Sequence, residues 1–443
     1  MRKKKVVILG AGITGLTSAF YLKDVCEVIL LEKEDRVGGW MHTEKKGDTL
    51  FEKGPRTFLY PHHRDLWTLI QDLSLDNACI FSSKEAKKRF LFFKGKIEKI
   101  PTNALSALLS PLTRDLLFPL LSEWTKKPCG EDETLDAFAR RRFGRKIAER
   151  FFDALSMGVY GVASSEVSVE ACFHRLKAME RAHGSLTAAL FASLWNKTKK
   201  ESSSLFSFRG GTQTVIEALL QEIKSCVFLQ EPALAISSCK EGICVKTPQR
   251  SIQADLLMSA LPPQAIGGLL REVSQEAAST LQNISTTTLE LLHLMYTTPV
   301  LQKKGFGYLV PKVEKLPLLG VVFDSLIFPQ GTQTILTAIF NSLSDPLAGV
   351  SMVSSHLGIE KPPDAFHVTR CKNAVPILGV GHVERMEKVV SLLAKEAPRI
   401  ILSGNYLQGV SVNDCVRSAK HAVKKGQDVL RTLSDRQSHI PIF

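Results

Sequence analysis

The sequence predicts an α/β fold, because a buried strand, a glycine turn and a helix follow one another at its start. Val6 to Leu9 form an uninterrupted apolar run, which is typical of a parallel strand buried on both faces. Gly10, Gly12 and Gly15 follow at G-x-G-x-x-G spacing, and the apolar residues of Thr14 to Lys23 have helical periodicity. This order of elements predicts a Rossmann-like domain.

The glycine turn has the features of a dinucleotide-binding turn. Gly10 makes the tight turn, Gly12 lets the backbone approach a pyrophosphate, and Gly15 lets the helix pack closely on the strand. Free N–H groups at the helix N-terminus favour a phosphate at the same place. The candidate cofactor contacts in this turn are Gly10, Ala11, Gly12, Ile13, Thr14 and Gly15.

Two features downstream favour a dinucleotide site over an ordinary strand, turn and helix. A second strand, Glu27 to Leu31, ends at Glu32, where an acidic side chain holds a ribose hydroxyl in such folds. Arg36-Val37-Gly38-Gly39 then adds a second glycine turn and a cation beside the same phosphates. A plain nicotinamide-binding fold does not require this second turn.

Length and composition indicate a folded protein of two or three domains. The chain has 443 residues, of which 44% are hydrophobic and 23% are charged. Its nine scattered cysteines form no C-x-x-C pair, which favours reduced thiols and a cytoplasmic location. Met1 to Lys5 leads straight into the first strand, and no apolar run is long enough for a membrane span. We therefore expect a protein that is soluble or peripheral on the cytoplasmic face of the membrane.

The net charge of +13 favours an acidic ligand or an anionic membrane, or it reflects dispersed surface cations that maintain solubility. No nucleic-acid-binding module is recognisable, so we expect no nucleic-acid partner. No metal-ligand cluster and no nucleophile–base pair is visible in the sequence, so we expect no metal site and no catalytic side chain of those kinds.

Two segments beyond the first strands carry candidate binding residues. The Gly54-Pro55-Arg56 turn can bring backbone close to a flat ring. Lys87 to Lys96 has the pattern of a hairpin in which cations flank an aromatic run. Arg89 could bind a carboxylate there beside an apolar slot, or the hairpin could simply expose solvated cations.

The middle of the sequence predicts a helical subdomain. Ala104 to Trp124 is a Leu-rich helical pattern interrupted by two prolines, which packs in a core or, if exposed, faces a membrane. Met157 to Gly161 is rich in small residues, as a close approach to a ligand requires. Lys197 to Ser204 is predicted to be a surface loop at a domain boundary.

Later segments predict a second sheet and a return to the first domain. The expected strands of the second sheet are Leu289–Tyr296, Leu316–Phe323 and Thr334–Phe340. They could wall a cavity for a planar ligand or form ordinary sheet core. Val410-Ser411-Val412 opens the last long helix, whose N-terminal N–H groups could face a cofactor.

Motifs along almost the whole chain resemble a known family. The glycine turn, with Glu32 and the Arg36–Trp40 segment, resembles the FAD-binding start of the flavin amine oxidase and phytoene desaturase group. Other segments narrow the resemblance to the protoporphyrinogen oxidase family of haem biosynthesis. These segments are Phe51–Arg56, Ser207–Gly211, Gly305–Pro311, Gly320–Ser325, Gly404–Tyr406 and Gly409–Cys415.

The resemblance implies FAD as cofactor and a porphyrinogen as substrate, with O2 or another electron acceptor. Besides the turn, the implied FAD contacts are Glu32, Lys33, Arg36, Gly38, Gly39, Trp40, Gly54, Pro55, Arg56, Thr57, Ala233, Val410, Ser411 and Val412. Arg89 would pair with a propionate of the substrate. Gly158, Phe306, Tyr308, Leu309 and Ile339 would line the tetrapyrrole cavity. The resemblance also implies ferrochelatase as the receiver of the product, and a homodimer is a further expectation.

The sequence does not decide between two porphyrinogens as the substrate. Protoporphyrinogen IX carries two propionates and two vinyls, whereas coproporphyrinogen III carries four propionates and requires a more basic pocket. Lys87, Lys88 and Lys94 are the sequence's candidates for the extra cations. An amine oxidase, a carotenoid desaturase and a non-catalytic flavoprotein are the other functions considered.

The expected architecture is α/β, with a discontinuous Rossmann-like FAD-binding domain, an α+β substrate domain and a helical subdomain. The FAD-binding domain would comprise residues 1–85, 200–265 and 395–443. The substrate domain would comprise residues 86–103 and 266–394, and the helical subdomain residues 104–199.

Overall fold

The computed structural model describes residues 3–47, 49–102, 104–113, 116, 122–189, 203–239 and 242–438. The chain divides into two compact units, each assembled from separate stretches of sequence. Unit 1 consists of Met1–Cys79, Phe206–Ser285 and Val383–Phe443, and unit 2 consists of Ile80–Leu205 and Thr286–His382. Strands β6 (Cys79–Phe81) and β9 (Ser204–Phe208) carry the chain across the first two boundaries.

Unit 1 contains the elements predicted for a dinucleotide-binding domain. Its strands are β1 (Lys5–Leu9), β2 (Glu27–Leu31), β3 (Thr43–Lys46), β4 (Thr49–Glu52), β5 (Phe58–Tyr60), β10 (Val227–Phe228), β11 (Ala235–Cys239), β12 (Gly242–Lys246), β13 (Ser251–Ala254), β14 (Leu256–Ser259) and β20 (Ile400–Leu402). Its helices are α1 (Ile13–Leu22), α2 (Arg64–Asp72), α9 (Gln213–Ile223), α10 (Pro263–Leu269), α11 (Gln275–Gln282), α14 (His382–Glu396) and α15 (Val412–Ser438).

The central sheet of unit 1 is parallel and is covered on both faces. Its strand order is β10-β2-β1-β14-β20. Successive residues of β1 point to opposite faces, so Val6 packs with helices α1, α9 and α15, and Val7 packs with β12, α10, α11 and α14. Double coverage explains why Val6 to Ile8 is continuously apolar, since these residues are fully buried.

Unit 2 is a mixed α+β unit. Its strands are β7 (Phe90–Phe93), β8 (Lys96–Lys99), β15 (Leu289–Tyr296), β16 (Gly307–Leu309), β17 (Leu318–Val322), β18 (Thr334–Phe340) and β19 (Ala365–Cys371). Its helices are α3 (Ala104–Leu109), α4 (Leu135–Phe143), α5 (Arg145–Ile147), α6 (Asp153–Tyr160), α7 (Val169–Cys172), α8 (His174–His183), α12 (Asp324–Ile327) and α13 (Pro346–Leu357). A π-helical turn (Ala148–Phe152) joins α5 to α6, and 3₁₀ turns include Glu123–Thr125 and Lys312–Glu314.

The seven-stranded sheet of unit 2 separates two packed layers. Its order is β19-β15-β18-β17-β16-β7-β8, and the β16–β7 pair is parallel. One face packs against α13 through Val353, in a cluster with Leu292 and Phe340. The other face packs against α6, through Met157 on Leu319 and through Ala154 on Leu91. The strands predicted at 289–296, 316–323 and 334–340 all belong to this sheet.

Buried ion pairs fix the helical part of unit 2. Arg142 is fully buried and pairs with Glu123 and Glu180, which are also fully buried. Lys177, buried as well, pairs with Glu180 and with Glu133. Every buried charge in this cluster therefore has a partner of opposite sign, as burial in a low-dielectric interior requires.

The predicted domain bounds differ from the compact units in four stretches. Residues 266–285 and 383–394 are predicted in the substrate domain but lie in unit 1, whereas residues 80–85 and 203–205 are predicted in the FAD-binding domain but lie in unit 2. Core packing explains the first two differences, because Ile266, Leu281 and Met386 belong to the same buried cluster as Val7. The pattern of α10, α11 and α14 identifies helices but not the sheet on which they pack. The assignment of these segments to FAD binding or substrate binding remains a proposal.

The predicted 104–124 helical stretch is described only in part. Helix α3 and the turn at Glu123–Thr125 lie within it, whereas positions 114, 115 and 117–121 lie outside the described residues. The predicted loop at 197–204 lies outside them up to position 202, and Ser204 begins β9. Among the described residues, no helix combines the length and the apolar character needed to cross a bilayer.

Candidate functional site

The glycine turn of unit 1 has the geometry that its spacing predicts. Gly10 has a φ of 92° and donates its N–H to the carbonyl oxygen of Leu31 at 2.8 Å. A Cβ at Gly15 would overlap with the carbonyl oxygen of Gly10, so only glycine allows α1 to approach β1 this closely. At Gly12, in contrast, no described atom lies within 4 Å of where a Cβ would be. The turn therefore leaves open space at the N-terminus of α1.

Glu32 and the second glycine turn lie against the first turn. The Glu32 carboxylate accepts hydrogen bonds from the N–H groups of Ala11 at 2.7 Å and Glu34 at 3.0 Å. Gly38 donates its N–H to the Ala11 carbonyl oxygen at 2.8 Å and forms a parallel bridge with Gly12. Glu32 and the two glycine turns are thus contiguous.

Arg36 and Lys33 occupy different positions beside these turns. The Arg36 guanidinium donates to the carbonyl oxygens of Val37 at 3.2 Å and Gly39 at 3.0 Å, so it braces the second turn. The Lys33 side chain is 69% exposed and pairs with the neighbouring Glu34. Arg36 therefore contacts the second glycine turn, whereas the Lys33 side chain pairs with its neighbour Glu34.

The Gly54–Thr57 segment lies beside Trp40 and the partly buried Glu52. A Cβ at Gly54 would overlap with the carbonyl oxygen of Trp40, which explains the glycine. Arg56 donates to the backbone oxygen of Glu52 at 3.3 Å. Pro55 and Thr57 lie in the same short connection between β4 and β5.

Glu52 is a residue to which sequence reasoning assigned no role. Its carboxylate accepts from the Thr212 N–H at 2.8 Å, the Thr212 hydroxyl at 2.7 Å and the Thr43 hydroxyl at 3.0 Å. Burial raises the pKa of this carboxyl above its ordinary value. Glu52 thus joins the Gly54–Thr57 segment to the Gly210-Gly211-Thr212 turn. Its place directly before the Gly-Pro turn was the available signal.

The remaining cofactor candidates come from the two later stretches of unit 1. Glu231 donates its N–H to the Glu32 carbonyl oxygen at 2.8 Å, and Ala233 follows two residues later, where it packs against the cluster that contains Val7. Ser411 and Asp414 cap α15 reciprocally, since the Ser411 oxygen accepts from the Asp414 N–H at 3.1 Å and the Asp414 carboxylate accepts from the Ser411 N–H at 3.2 Å.

Helix α15 starts at Val412 and packs on α1 through the cluster that contains Val416 and Leu16. The predicted cofactor residues other than Lys33 are therefore assembled around one parallel sheet.

These residues fit a bound dinucleotide. Helix α1 begins without a side-chain cap, so its first N–H groups are available to an anion. Gly12 leaves space in front of them, and Glu32 places a carboxylate within hydrogen-bonding distance of the Ala11 N–H. FAD, a dinucleotide with a pyrophosphate and a ribose on its adenosine half, matches this set of donors, space and acceptor.

Arg89 and Phe306, two of the candidate substrate-binding residues in unit 2, contact each other, and Arg89 carries a charge. The Arg89 guanidinium lies over the Phe306 ring, 4.4 Å from its centroid. The Phe306 N–H donates to the Lys88 carbonyl oxygen at 2.9 Å, which fixes the ring beside Arg89. Arg89 is solvent-accessible, yet desolvation by the surrounding protein lowers its pKa. Among the described residues, no acidic side chain pairs with it.

Leu309, Gly320 and Ile339 form one row across three neighbouring strands. Leu309 on β16 is opposite Gly320 on β17, which is opposite Ile339 on β18. Residues directly paired across strands share a face. A Cβ at Gly158 of α6 would overlap with the Leu309 side chain, so Gly158 covers the same face. Three of the predicted cavity residues are therefore brought together.

Tyr308 does not belong to this group. It is opposite Val321 and only 2% exposed, on the face that packs against α13. Its hydroxyl lies 3.1 Å from Nδ1 of His356, and burial raises its pKa. Adjacent residues of a strand point to opposite faces, so Tyr308 does not share the face on which Leu309 and Ile339 lie. The sequence prediction for Tyr308 is corrected accordingly.

The lysines suggested for extra carboxylates differ in availability. Lys88 pairs with Glu85 at 2.5 Å, and Lys94 lies over the Phe93 ring at 5.3 Å from its centroid. Lys87 is exposed at the end of a 3₁₀ turn. Arg89 and Lys94 thus both lie over aromatic rings, whereas Lys88 is paired with an acid.

Comparison with known proteins agrees with this geometry. The protoporphyrinogen oxidase of Bos taurus is 30% identical over 468 aligned residues, covering 95% of this chain and 98% of that protein. The coproporphyrinogen III oxidase of Bacillus subtilis is 24% identical, covering 95% of this chain and 97% of that protein. An Exiguobacterium structure provisionally named a protoporphyrinogen oxidase has a TM-score of 0.85 at 22% identity, covering 97% of this chain and all of that one.

The family comparison covers most of both units. The model that describes flavin containing amine oxidoreductases matches residues 13–425. This span includes the glycine turn after its first three residues, the Glu32 region, the sheet of unit 2 and most of helix α15. The chain belongs to the flavin containing amine oxidoreductase family, and FAD is its cofactor.

Proposed function

We propose that this protein oxidises a porphyrinogen to the corresponding porphyrin, with protoporphyrinogen IX as the substrate. The observation that carries the proposal is the Arg89 guanidinium, which lies over Phe306 without an acidic partner among the described residues. A partly desolvated cation of this kind favours an incoming carboxylate, and protoporphyrinogen carries two propionates. The relatives named protoporphyrinogen oxidase support the same choice.

The protein's own residues bind and orient the substrate in this proposal. Arg89 holds a propionate, and the row formed by Leu309 and Ile339 receives the apolar macrocycle and excludes water from it. Gly158 lets the helix α6 backbone approach this row. FAD, when bound, supplies the two-electron acceptor for each of the three dehydrogenation steps. Positioning, rather than a protein acid or base, is the contribution of the site.

Oxygen is the proposed final electron acceptor, and a ferrochelatase the proposed receiver of the product. We place the protein in the cytoplasm, in peripheral contact with a membrane. The membrane contact is supported by three exposed apolar side chains of unit 2, since Leu105, Leu109 and Trp124 are 68%, 72% and 70% exposed. Sedimentation with anionic vesicles tests this placement, and a Leu105→Gln/Leu109→Gln protein that sediments as well as wild type would contradict it.

A fluorescence assay tests the proposed activity. Protein loaded with FAD is given protoporphyrinogen IX in air, and porphyrin emission is followed with time. Arg89→Ala should raise KM about tenfold, because a charged hydrogen bond to the propionate is lost. The matched control is Arg175→Ala, which removes an exposed arginine on α8. Absence of turnover by the wild-type protein with any porphyrinogen would reject the proposal.

Coproporphyrinogen III is the second candidate substrate. The similarity to the Bacillus subtilis coproporphyrinogen III oxidase, and exposed cations in unit 2, favour it. The same assay with coproporphyrinogen III decides between the two, since the substrate with the higher kcat/KM is the better fit to the site.

A further inference from the structure

We propose that Lys312 and Lys315 form a second carboxylate-binding subsite of unit 2, at the opposite end of strand β16 from Arg89. This inference rests on the proposed porphyrinogen oxidation and specifies which substituents of the substrate the site can bind. The ligand group is a carboxyethyl side chain on the tetrapyrrole edge that faces away from Arg89.

The subsite is a cavity of about 220 Å³ that lies within unit 2. Both lysines line it, together with apolar residues of α6 and β17. Pockets that enclose a whole ligand usually measure about 300–1,000 Å³. A cavity of this size suits a side chain of the tetrapyrrole rather than the macrocycle.

The cavity adjoins the proposed tetrapyrrole face. Met157, which precedes Gly158 on α6, lines the cavity, and so does Asn341, two residues beyond Ile339. Met157 and Leu319, which line the cavity, also pack in the cluster that contains Ile339. A ligand on this face would therefore reach the cavity with its edge.

The two cationic positions lie at opposite ends of one short strand. Phe306, which carries Arg89 over its ring, precedes β16, and Lys312 follows Pro311 beyond the end of β16. At roughly 3.3 Å per residue, the backbone from Phe306 to Pro311 spans about 16 Å. Arg89 and the lysines can therefore engage different edges of one large planar ligand.

The backbone keeps both lysines on a single turn. Lys315 donates its N–H to the Lys312 carbonyl oxygen at 2.9 Å, and its φ of 55° is left-handed. Residues other than glycine rarely adopt this conformation, and it is found where a side chain must be placed for a function or a turn.

The acids near this turn accept hydrogen bonds from backbone N–H groups. The Glu314 carboxylate accepts from the Lys94 N–H at 3.0 Å, and the Asp153 carboxylate accepts from the Ser164 N–H at 3.1 Å and from the Lys312 N–H at 3.4 Å. Glu166 is the acid that lines the cavity, and it accepts from the Ala163 N–H at 3.3 Å. Among the described residues, neither Lys312 nor Lys315 has an ion-pair partner, so an incoming carboxylate can pair with them.

This subsite distinguishes the two porphyrinogens. Both substrates carry the propionates that Arg89 would bind, but only coproporphyrinogen III also carries propionates where protoporphyrinogen carries vinyls. The lysine subsite therefore contributes to the oxidation of coproporphyrinogen III and not to that of protoporphyrinogen IX.

The test compares both substrates with a lysine-free variant. In Lys312→Met/Lys315→Met, kcat/KM for coproporphyrinogen III should fall about fivefold, while that for protoporphyrinogen IX changes less than twofold, because two exposed ion pairs are lost. The double arginine variant, Lys312→Arg/Lys315→Arg, should retain the wild-type ratio. Lys303→Met is the matched control, since Lys303 is exposed and does not line the cavity.

Binding of the oxidised products provides a readout independent of turnover. Fluorescence titration should show weaker binding of coproporphyrin III to the double methionine variant and unchanged binding of protoporphyrin IX. An unchanged ratio, or an equal loss for both substrates, would overturn the lysine subsite while leaving porphyrinogen oxidation intact. If the wild-type protein oxidises neither substrate, the proposed function itself fails.

Discussion

The hydroxyl of Tyr308 lies 3.1 Å from Nδ1 of His356, in the layer between the unit 2 sheet and α13. The His356 ring stacks on Phe92, with centroids 3.9 Å apart. Tyr308 is also paired with Phe90 across the β16–β7 ladder. Because Leu309 is the next residue, these contacts fix the strand that presents Leu309 to the opposite face. The contacts of Tyr308 therefore stabilise the strand from the sheet face opposite the proposed substrate face.

Tyr308 and His356 should be energetically coupled. Tyr308→Phe keeps the ring but removes the hydroxyl, and it leaves the nitrogen of the half-buried His356 without this partner. We expect a loss of about 1–2 kcal/mol in the free energy of unfolding. Urea denaturation of Tyr308→Phe, His356→Leu and the double variant measures the coupling, which should be about 1 kcal/mol. Additive effects of the two substitutions would show that the contact contributes nothing.

The same histidine predicts a pH dependence of stability. Burial lowers the pKa of His356 below its ordinary value of 6.5, so the folded protein binds this proton less readily than the unfolded chain. Its contribution to stability is complete above pH 6.5 and is lost as the pH falls through the lowered folded-state pKa. The stability difference between wild type and His356→Leu should therefore shrink between pH 7.5 and pH 5.5. A difference that is constant over this range would contradict the assignment.

The sequence contained enough information to predict the parallel sheet of unit 1. The unbroken apolar run of β1, the glycine spacing and the acidic end of β2 are local patterns, and each has a local structural cause. The positions of Gly12, Gly15 and Glu32 followed directly from them. The same holds for the cap of α15, where Ser411 and Asp414 are three residues apart.

Other features depend on contacts between distant parts of the chain. Tyr308 and Leu309 are both apolar or aromatic in a three-residue strand, so the sequence cannot tell which of them lies on the proposed substrate face. Strand pairing decides it, through Val321 for Tyr308 and Gly320 for Leu309. Lys312 likewise lines the cavity of about 220 Å³ only because α6 and β17 meet there, and no local sequence pattern reveals that contact.

Gly12 and Gly15 should respond differently to the same added methyl group. At Gly12 the Cβ meets no described atom within 4 Å, so Gly12→Ala should fold with nearly wild-type stability but bind FAD at least tenfold more weakly. At Gly15 the Cβ overlaps with the Gly10 carbonyl oxygen, so Gly15→Ala should lose about 3 kcal/mol or more of stability through overpacking. Thermal denaturation of the apoprotein and flavin fluorescence titration measure the two effects.

The comparison between these variants contains its own control. If Gly12→Ala is destabilised as strongly as Gly15→Ala, the space in front of α1 is not a ligand space. If Gly12→Ala binds FAD with wild-type affinity, the pyrophosphate does not lie against this glycine.

Glu52 should contribute to stability and to flavin binding through Thr43 and Thr212. Glu52→Gln replaces one acceptor oxygen by an NH2 group, which cannot accept from the Thr212 N–H and the two hydroxyls together. We expect a loss of about 1–3 kcal/mol in stability and weaker retention of FAD on gel filtration. Glu27→Gln, at an exposed position of β2, is the matched control. Equal FAD retention by both variants would remove Glu52 from the cofactor site.

Gly158 should control access to the proposed substrate face. Gly158→Ala places a methyl group against the Leu309 side chain, which must move toward the space where the macrocycle would lie. Overpacking of this kind costs about 1–3 kcal/mol. Here it would weaken substrate binding as well as the stability of the fold. We therefore expect kcat/KM for either porphyrinogen to fall about tenfold while FAD content stays unchanged, since the cofactor candidates lie in unit 1.

The matched control for Gly158 is Gly130→Ala in the same unit, where an added Cβ meets no described atom within 4 Å. Restoring space with Gly158→Ala/Leu309→Val should recover part of the activity, because the shorter side chain no longer meets the added methyl group. Steady-state kinetics with both porphyrinogens, together with the flavin absorbance of each purified variant, separates the two effects. Recovery by Leu309→Val would identify crowding at Leu309 as the cause, whereas an unaltered kcat/KM in Gly158→Ala would place the tetrapyrrole away from this row.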